Sequence, residues 1–195
     1  MISIAITGGI GSGKSYVSDL LQKRGIPIYN TDDEAKRLML SDEAIRQDLI
    51  ALLGADVYMD GVLNKALLAS YLFADADNAA RVNAIVHPRV KADFYRWLSE
   101  HQDCEMAGLE SAILFEAGFE DTVDVIVMVY APEALRIERA MKRDHATERQ
   151  IRARMSAQMD DEEKCRMSHF VIRNDGVTPL ESQLSLLIEQ IKAIK

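Results

Sequence analysis

Cysteine is scarce in this chain: 195 residues contain two, Cys104 and Cys165. They make no C-x-x-C pair, which excludes a disulfide-stapled scaffold and a cysteine-type zinc site. No window approaches the ~20 consecutive apolar residues of a membrane-spanning helix. The opening "MISIAITGG" lacks the basic region and the long apolar core of a secretory leader. Excess positive charge is missing too: the formal net charge is -8, with a pI of about 5.0, so bulk electrostatics favour neither nucleic acid nor an anionic membrane. These absences predict reduced thiols, a cytoplasmic location, no nucleic-acid partner and no membrane partner. The oligomeric state is left open.

What is present is an alternation of apolar runs and amphipathic stretches. "ISIAI", "IPIY", "AGLESAIL", "VDVIVMVY" and "HFVI" read as five buried strands. Between the second and third lies a block up to about His101 that reads as helical throughout. Thr31 with Glu34 is its capping box, His87-Pro88 is an interruption, and Asp60-Gly61 marks a turn rather than strands. Helices are predicted from Lys14, from Pro132 to about Asp144, after a Thr147/Gln150 capping box, and over the last residues with Thr178 as cap and Pro179 first inside. Strands alternating with helices predict an α/β domain with a mainly parallel sheet. The expected division is a core of residues 1–32 and 103–195, a lid at about 139–160 within it, and a helical insertion at 33–102.

The most specific stretch is "AITGGIGSGKSY". Gly8, Gly13, Lys14 and Ser15 satisfy G-x-x-x-x-G-K-[ST] between a strand and a helix. Glycines let successive backbone N–H groups point into one cavity, and the following helix adds its positive end. Gly9, Gly11, Ser12 and Gly13 are the expected phosphate cradle. Lys14 supplies a mobile charge, and the Ser15 hydroxyl is the expected Mg²⁺ ligand. The N-K-x-D and D-x-x-G motifs of GTPases are absent, as is an apolar run ending Asp-Glu. A small chain with an insertion after its second strand points instead to a small-molecule kinase using Mg·ATP.

Asp32 follows the second strand, at the edge where parallel sheets bind ligands, and there a carboxylate orients an attacking hydroxyl. The competing reading makes Asp32, Asp33 and Glu34 first-turn acids favoured by the helix dipole. "LRIERAMKRDHATERQIRARM" carries six arginines, with Arg139 and Arg143 four apart on one face. They suit a lid that closes over ATP. The alternative is a solvated face paired with Glu138, Asp144 and Glu148.

In series, "TGGIGSGKS", Asp32 with Ala35 and a basic residue, "HPRV" at 87–90, "ILFE" at 113–116, "RAMKRD" at 139–144 and "IRNDG" at 172–176 resemble the dephospho-CoA kinases along the whole chain. The resemblance implies a fold like that of nucleoside monophosphate kinases, with a five-stranded parallel core, a helical acceptor domain and an arginine-bearing lid. It implies transfer of the ATP γ-phosphoryl to the 3′-hydroxyl of the dephospho-CoA ribose, the last step of coenzyme A biosynthesis. Kinases of a nucleoside monophosphate or a sugar acid are the alternative. By this likeness Asp32, Lys14 and Arg143 are catalytic, and Tyr16, Arg139 and Asn174 are on the ATP side. His87 and Leu114, Phe115 and Glu116 line the acceptor pocket. Where the family often reads Asp-Ala-Asp and Pro-Leu-Leu, this chain has Asn30-Thr31-Asp32 and Ala112-Ile113-Leu114, and Tyr16 replaces a common threonine. Glu110 is the nearest acid upstream of the second motif, and its role is left unassigned.

Overall fold

A strand covered by helices on both sides is buried on both faces, and β1 (Ile2–Thr7) is buried at all six positions, with Ser3 and Thr7 its two polar side chains. The computed structural model describes residues 1–194. After β1 come α1 (Lys14–Gln22), β2 (Ile28–Asn30), α2 (Thr31–Ser41) and α3 (Glu43–Leu53). A 3-10 turn (Ala55–Val57) leads to β3 (Tyr58–Met59), β4 (Val62–Leu63), α4 (Lys65–Ala74) and α5 (Ala76–Glu100). Then follow β5 (Met106–Ser111), β6 (Val125–Tyr130), α6 (Glu133–Asp144), α7 (Glu148–Met155), α8 (Asp161–Met167), β7 (Phe170–Arg173) and α9 (Leu180–Ala193).

The main sheet runs β2-β5-β1-β6-β7, with β1 parallel to both β5 and β6 and β6 parallel to β7. The strand order reverses beside β1, the place where such sheets open a ligand crevice at their carboxyl edge. Gly108 on β5 faces Ile4 in register, and a Cβ there would lie 2.3 Å from the Ile4 carbonyl oxygen. Ile4, Ile6, Val127 and Val129 of the sheet join Val17 and Leu21 of α1 and Leu184, Leu187 and Ile191 of α9 in one core. Each such side chain contributes about 1.5–3 kcal/mol on burial. Helix α1 stops because Gly25, at φ 80°, lets its own N–H reach Gln22 O and the Ile26 N–H reach Leu21 O, a Schellman pair.

The chain divides into two compact units, Met1–Tyr29 with residues 98–194, and Asn30–Trp97. In the second, Leu38, Ile45, Leu49, Val57, Leu63, Val86, Val90 and Phe94 are buried. Asp42 caps α3 by accepting from the Ile45 N–H at 3.0 Å and holds both Nε and Nη2 of Arg89. Burial alone would raise the Asp42 pKa, but the Ile45 amide and the Arg89 guanidinium hold it below its ordinary value.

Several local expectations need correction. Asp60 and Gly61, both at positive φ (51° and 79°), are the turn of a two-stranded antiparallel hairpin, β3–β4, which lies in the block read as purely helical. This is the geometry that an Asp-Gly pair favours between strands. Helix α5 runs unbroken through Pro88, because Val82, Val86, Val90 and Phe94 keep one buried stripe on both sides of it. Asn30, not Thr31, caps α2, its side chain accepting from the Asp32 and Asp33 amides. Pro179 is the cap residue of α9, and the Thr178 N–H and hydroxyl both bind Asp175. The third strand ends at Ser111, after which the Ala117 amide reaches back to Ile113 O and closes a turn. The Thr147/Gln150 capping box is present. Among the described residues no helix is long and apolar enough to cross a membrane.

Candidate active site

The glycine-rich loop spans residues 8–13, between β1 and α1. Gly11 and Gly13 hold φ of 79° and 88°, a region that side-chain-bearing residues avoid. Space forbids a side chain as well. A Cβ on Gly11 would lie 2.1 Å from the Arg136 carbonyl oxygen, and one on Gly13 2.1 Å from Asn174 Nδ2. That Asn174 amide donates to Ser12 O at 2.8 Å, while Arg139 Nη1 donates to Asn174 O at 2.9 Å. The loop is therefore clamped from outside by α6 and by the residue after β7.

Below the loop, Ser15 Oγ donates to Glu110 Oε1 at 2.6 Å, and Lys14 Nζ lies 4.0 Å from the same oxygen. Glu110 is 5% exposed, near the carboxyl end of β5, opposite Ile6 of β1. A cavity of about 210 Å³ opens above, lined by Gly11, Gly13, Lys14, Ser15, Tyr16, Arg139, Ala140 and Arg143. Thr7 Oγ1 and Ser12 Oγ are buried beside this loop with no partner among the described residues. Cations, loop amides and a glycine cradle suit a polyphosphate. A hydroxyl bonded to a carboxylate suits a hydrated Mg²⁺ carried by that phosphate, since Mg²⁺ keeps several waters and takes few protein ligands. No cluster of three or more His, Cys, Asp or Glu side chains able to hold a metal occurs among the described residues.

Five of the six arginines separate by environment. Arg139 and Arg143 line the cavity. Asp144 binds Arg143 through Nε at 2.7 Å and Nη2 at 3.1 Å, which raises the Arg143 pKa, and also binds Arg154. Arg152 pairs with Glu133 and Glu148 on the surface. Arg136 is 6% exposed and pairs with Asp161; burial pulls its pKa below the ordinary arginine value.

The acceptor-side candidates divide between the two units, Asp32 and His87 in Asn30–Trp97 and Leu114, Phe115 and Glu116 in the other. Asp32 is exposed in the first turn of α2. Asp33 pairs with Lys36 and Glu34 with Arg37, whereas no hydrogen bond or ion pair engages the Asp32 carboxylate among the described residues. The two neighbours are spent on i,i+3 pairs, as a solvated helix face requires, and Asp32 is not. His87 is half-buried in α5, and burial lowers its pKa. Leu114 and Phe115 are core side chains, 0% and 8% exposed. The Glu116 carboxylate is taken by Lys164 Nζ and the Met159 amide. Sequence reasoning left Glu110 unassigned. Its signal was an acid inside an otherwise apolar strand, two residues before the chain leaves the sheet.

A serine bonded to a strand-end carboxylate beneath a glycine loop serves many phosphate-binding proteins, so the geometry alone does not separate them. The family model described as dephospho-CoA kinase matches residues 2–179. A dephospho-CoA kinase of Bacteroides fragilis is 55% identical over 188 residues, covering 96% of this chain and 91% of that one. One from Porphyromonas gingivalis is 42% identical over 194 residues, covering 98% and 95%. The crystal structure of a Thermus thermophilus protein superposes with a TM-score of 0.81 at 32% identity, covering 98% of this chain and 96% of that one. With the match running from β1 past β7 and the phosphate cavity built as described, the chain belongs to the dephospho-CoA kinase family.

Proposed function

We propose that this protein transfers the γ-phosphoryl group of Mg·ATP to the 3′-hydroxyl of the dephospho-CoA ribose, giving coenzyme A and ADP in the cytoplasm. The observation that carries the reading is the Ser15–Glu110 hydrogen bond beneath a cavity that Lys14, Arg139 and Arg143 share, in a chain of this family. The acceptor oxygen forms a bond to the γ-phosphorus as the bond to the β,γ-bridging oxygen breaks. The hydroxyl proton leaves towards the Asp32 carboxylate, which orients the attacking oxygen. The transition state is loose and places charge on peripheral oxygens, so positioning and cationic contacts do most of the work. Lys14 and Arg143 meet that charge, and Arg139, Tyr16 and Asn174 form the nucleotide side. Ser15 and Glu110 would hold Mg²⁺ and its waters; the ion supplies charge neutralisation across the phosphates. His87 and the segment of Leu114, Phe115 and Glu116 belong to the acceptor side by family likeness.

The test is incubation of the pure protein with Mg·ATP and dephospho-CoA, following ADP and product mass against a control without acceptor. Acceptor-dependent ADP and a product heavier by one phosphoryl group are expected. Equal ADP release without acceptor would show hydrolysis and overturn the assignment.

A further inference from the structure

Outside the phosphate cavity, the fold buries a lysine that the reaction does not use. Lys164, on α8, is 0% exposed. Its Nζ donates to Ala112 O at 2.7 Å and pairs with Glu116 Oε1 at 2.9 Å. Both partners lie just beyond Glu110, on the segment that leaves β5. Burying an ammonium costs several kcal/mol, and an apolar side chain would fill the space more cheaply. The cation therefore needs a reason beyond packing.

The reason lies in what else converges there. Glu116 Oε1 also accepts the Met159 N–H at 2.7 Å, so the carboxylate that neutralises Lys164 fixes the connection between α7 and α8. The adjacent residue, Gln158, turns its Oε1 to the N–H of Ile10 at 3.1 Å, across 148 positions of sequence. Ile10 sits inside the glycine-rich loop. Its side chain packs against Ile137, Ala140 and Ile151 of α6 and α7. One loop residue is thus held twice, by apolar contact with α6 and α7 and by a hydrogen bond to the connection after α7. That connection is itself pinned to the chain beyond Glu110.

We propose that Gln158 is a positioning residue for phosphoryl transfer. Anchored through Met159 by the Glu116–Lys164 pair, it fixes the Ile10 peptide and thereby the shape of the phosphate-binding loop. The mechanism needs no contact between Gln158 and nucleotide. A loop of glycines has little stiffness of its own; Asn174 and the Arg136 carbonyl restrain it at Gly11 to Gly13, and Gln158 tethers the one bulky residue in it, Ile10. Lys164 and Glu116 act one step further out. They hold the tether's base against the same segment that presents Glu110, so the two walls of the phosphate site keep a common reference.

This rests on the kinase reading, and the experiment separates the two. Gln158→Leu keeps the volume and removes the acceptor; Gln158→Glu keeps an acceptor oxygen. Three quantities are measured on the full chain: amide hydrogen exchange at Ile10, the melting temperature, and kcat with KM for ATP using dephospho-CoA as acceptor. An N–H left unpaired in the leucine variant should raise Ile10 exchange and lower kcat, each by roughly tenfold or more. The melting temperature should be near that of the parent, and Gln158→Glu should recover both quantities. Lys164→Met leaves the Glu116 carboxylate and the Ala112 carbonyl oxygen without their cation, so it should lower the melting temperature as well as kcat. The double variant Lys164→Met/Glu116→Leu removes both charges and should lower kcat with a melting temperature nearer the parent's. Parent-like kcat and Ile10 exchange in Gln158→Leu would overturn the proposal. So would a kcat loss that tracks lowered melting temperature and persists in Gln158→Glu. If the parent itself shows no turnover with dephospho-CoA, the kinase reading falls, and Ile10 exchange with ATP affinity in the same variants still decides the tether.

Discussion

Glu110→Gln isolates one charge at the floor of the phosphate cavity, and its consequences run in opposite directions for metal and for nucleotide. The carboxylate accepts the Ser15 hydroxyl at 2.6 Å and faces Lys14 Nζ at 4.0 Å. A hydrogen bond to an ionised acceptor is worth about 1.5–3 kcal/mol and a neutral one about 1, so the amide forfeits about 0.5–2 kcal/mol of the interaction that orients Ser15. The Lys14 attraction is of order 4 kcal/mol gross at an effective dielectric of 20, before desolvation is subtracted. Losing it releases the ammonium towards phosphate. The Mg²⁺ concentration for half-maximal rate should therefore rise about 2- to 30-fold, while affinity for metal-free ATP, measured in EDTA, holds or tightens. Steady-state rates across a Mg²⁺ titration and a fluorescent-nucleotide titration give the two numbers. An unchanged Mg²⁺ midpoint together with weakened metal-free ATP binding would refute the reasoning, because Glu110 would then be supporting Lys14 rather than opposing its release.

Asp32→Ala should lower kcat by about 100-fold or more, the range for losing a positioned acid–base group, with the ATP dissociation constant within twofold; near-normal turnover would remove the residue from the mechanism. Gly13→Ala places a Cβ at φ 88° and 2.1 Å from Asn174 Nδ2. The backbone cost is about 1–2 kcal/mol, the Asn174–Ser12 bond must break, and ATP binding by calorimetry should weaken at least tenfold. Asp42→Ala removes the α3 cap, worth about 1 kcal/mol, and a half-exposed Arg89 pair worth at most about 1 more. The Asp42 pKa is lowered in the fold, so its contribution is fully present above the unfolded value of about 3.9 and is lost as pH falls through the folded one. The gap in melting temperature between parent and variant should thus be constant near neutrality and narrow below about pH 4.

The five strands were legible because each is an apolar run bounded by turn residues, and the glycine loop because its residue types and spacing leave few alternatives. Caps were legible only to within a residue. Asn30 and Thr31 are both acceptable cap types, and the choice between them depends on which side chain meets the Asp32 and Asp33 amides. The β3–β4 hairpin escaped because two-residue strands carry no period; only Asp60-Gly61 marked it. Pro88 misled for a related reason, since a local helix-breaker is outweighed by a buried stripe of valines and Phe94 extending on either side. The phosphate site divides the same way. Lys14 and Ser15 announce themselves locally, whereas Ser15–Glu110 and Ile10–Gln158 join residues 95 and 148 positions apart. No periodicity in one sequence records which acid a serine will meet. Among the six arginines, spacing singled out Arg139 and Arg143, and the sequence offered Glu138, Asp144 and Glu148 as pairing carboxylates. Asp144 and Glu148 do pair, but the occupation of both Arg143 and Arg154 by Asp144, and of Arg152 by Glu133 as well, required coordinates.

That occupation also bears on how the site accepts its ligand. Arg143 lines the cavity while Asp144 grips it through two nitrogens, and Asp144 holds Arg154 as well. On the proposed function, a phosphate taken by Arg143 through Nε and Nη2 would displace the Asp144 carboxylate, which sets a cost. The cost is small for two reasons. The guanidinium is 61% exposed, so its pair with Asp144 is worth at most about 1 kcal/mol. Asp144 also keeps Arg154 when Arg143 lets go, so no carboxylate is stranded. A phosphate oxygen pair offers the same fork geometry with more charge. On that reading the exchange would run downhill when nucleotide is present and reverse when it leaves. Arg136 behaves differently: it is buried, paired with Asp161, and its backbone carbonyl is the surface against which Gly11 packs. Two arginines seven residues apart on one helix thus stand in opposite environments, one buried against the loop it shapes and the other exposed and free to exchange its carboxylate for a phosphate under the proposed function.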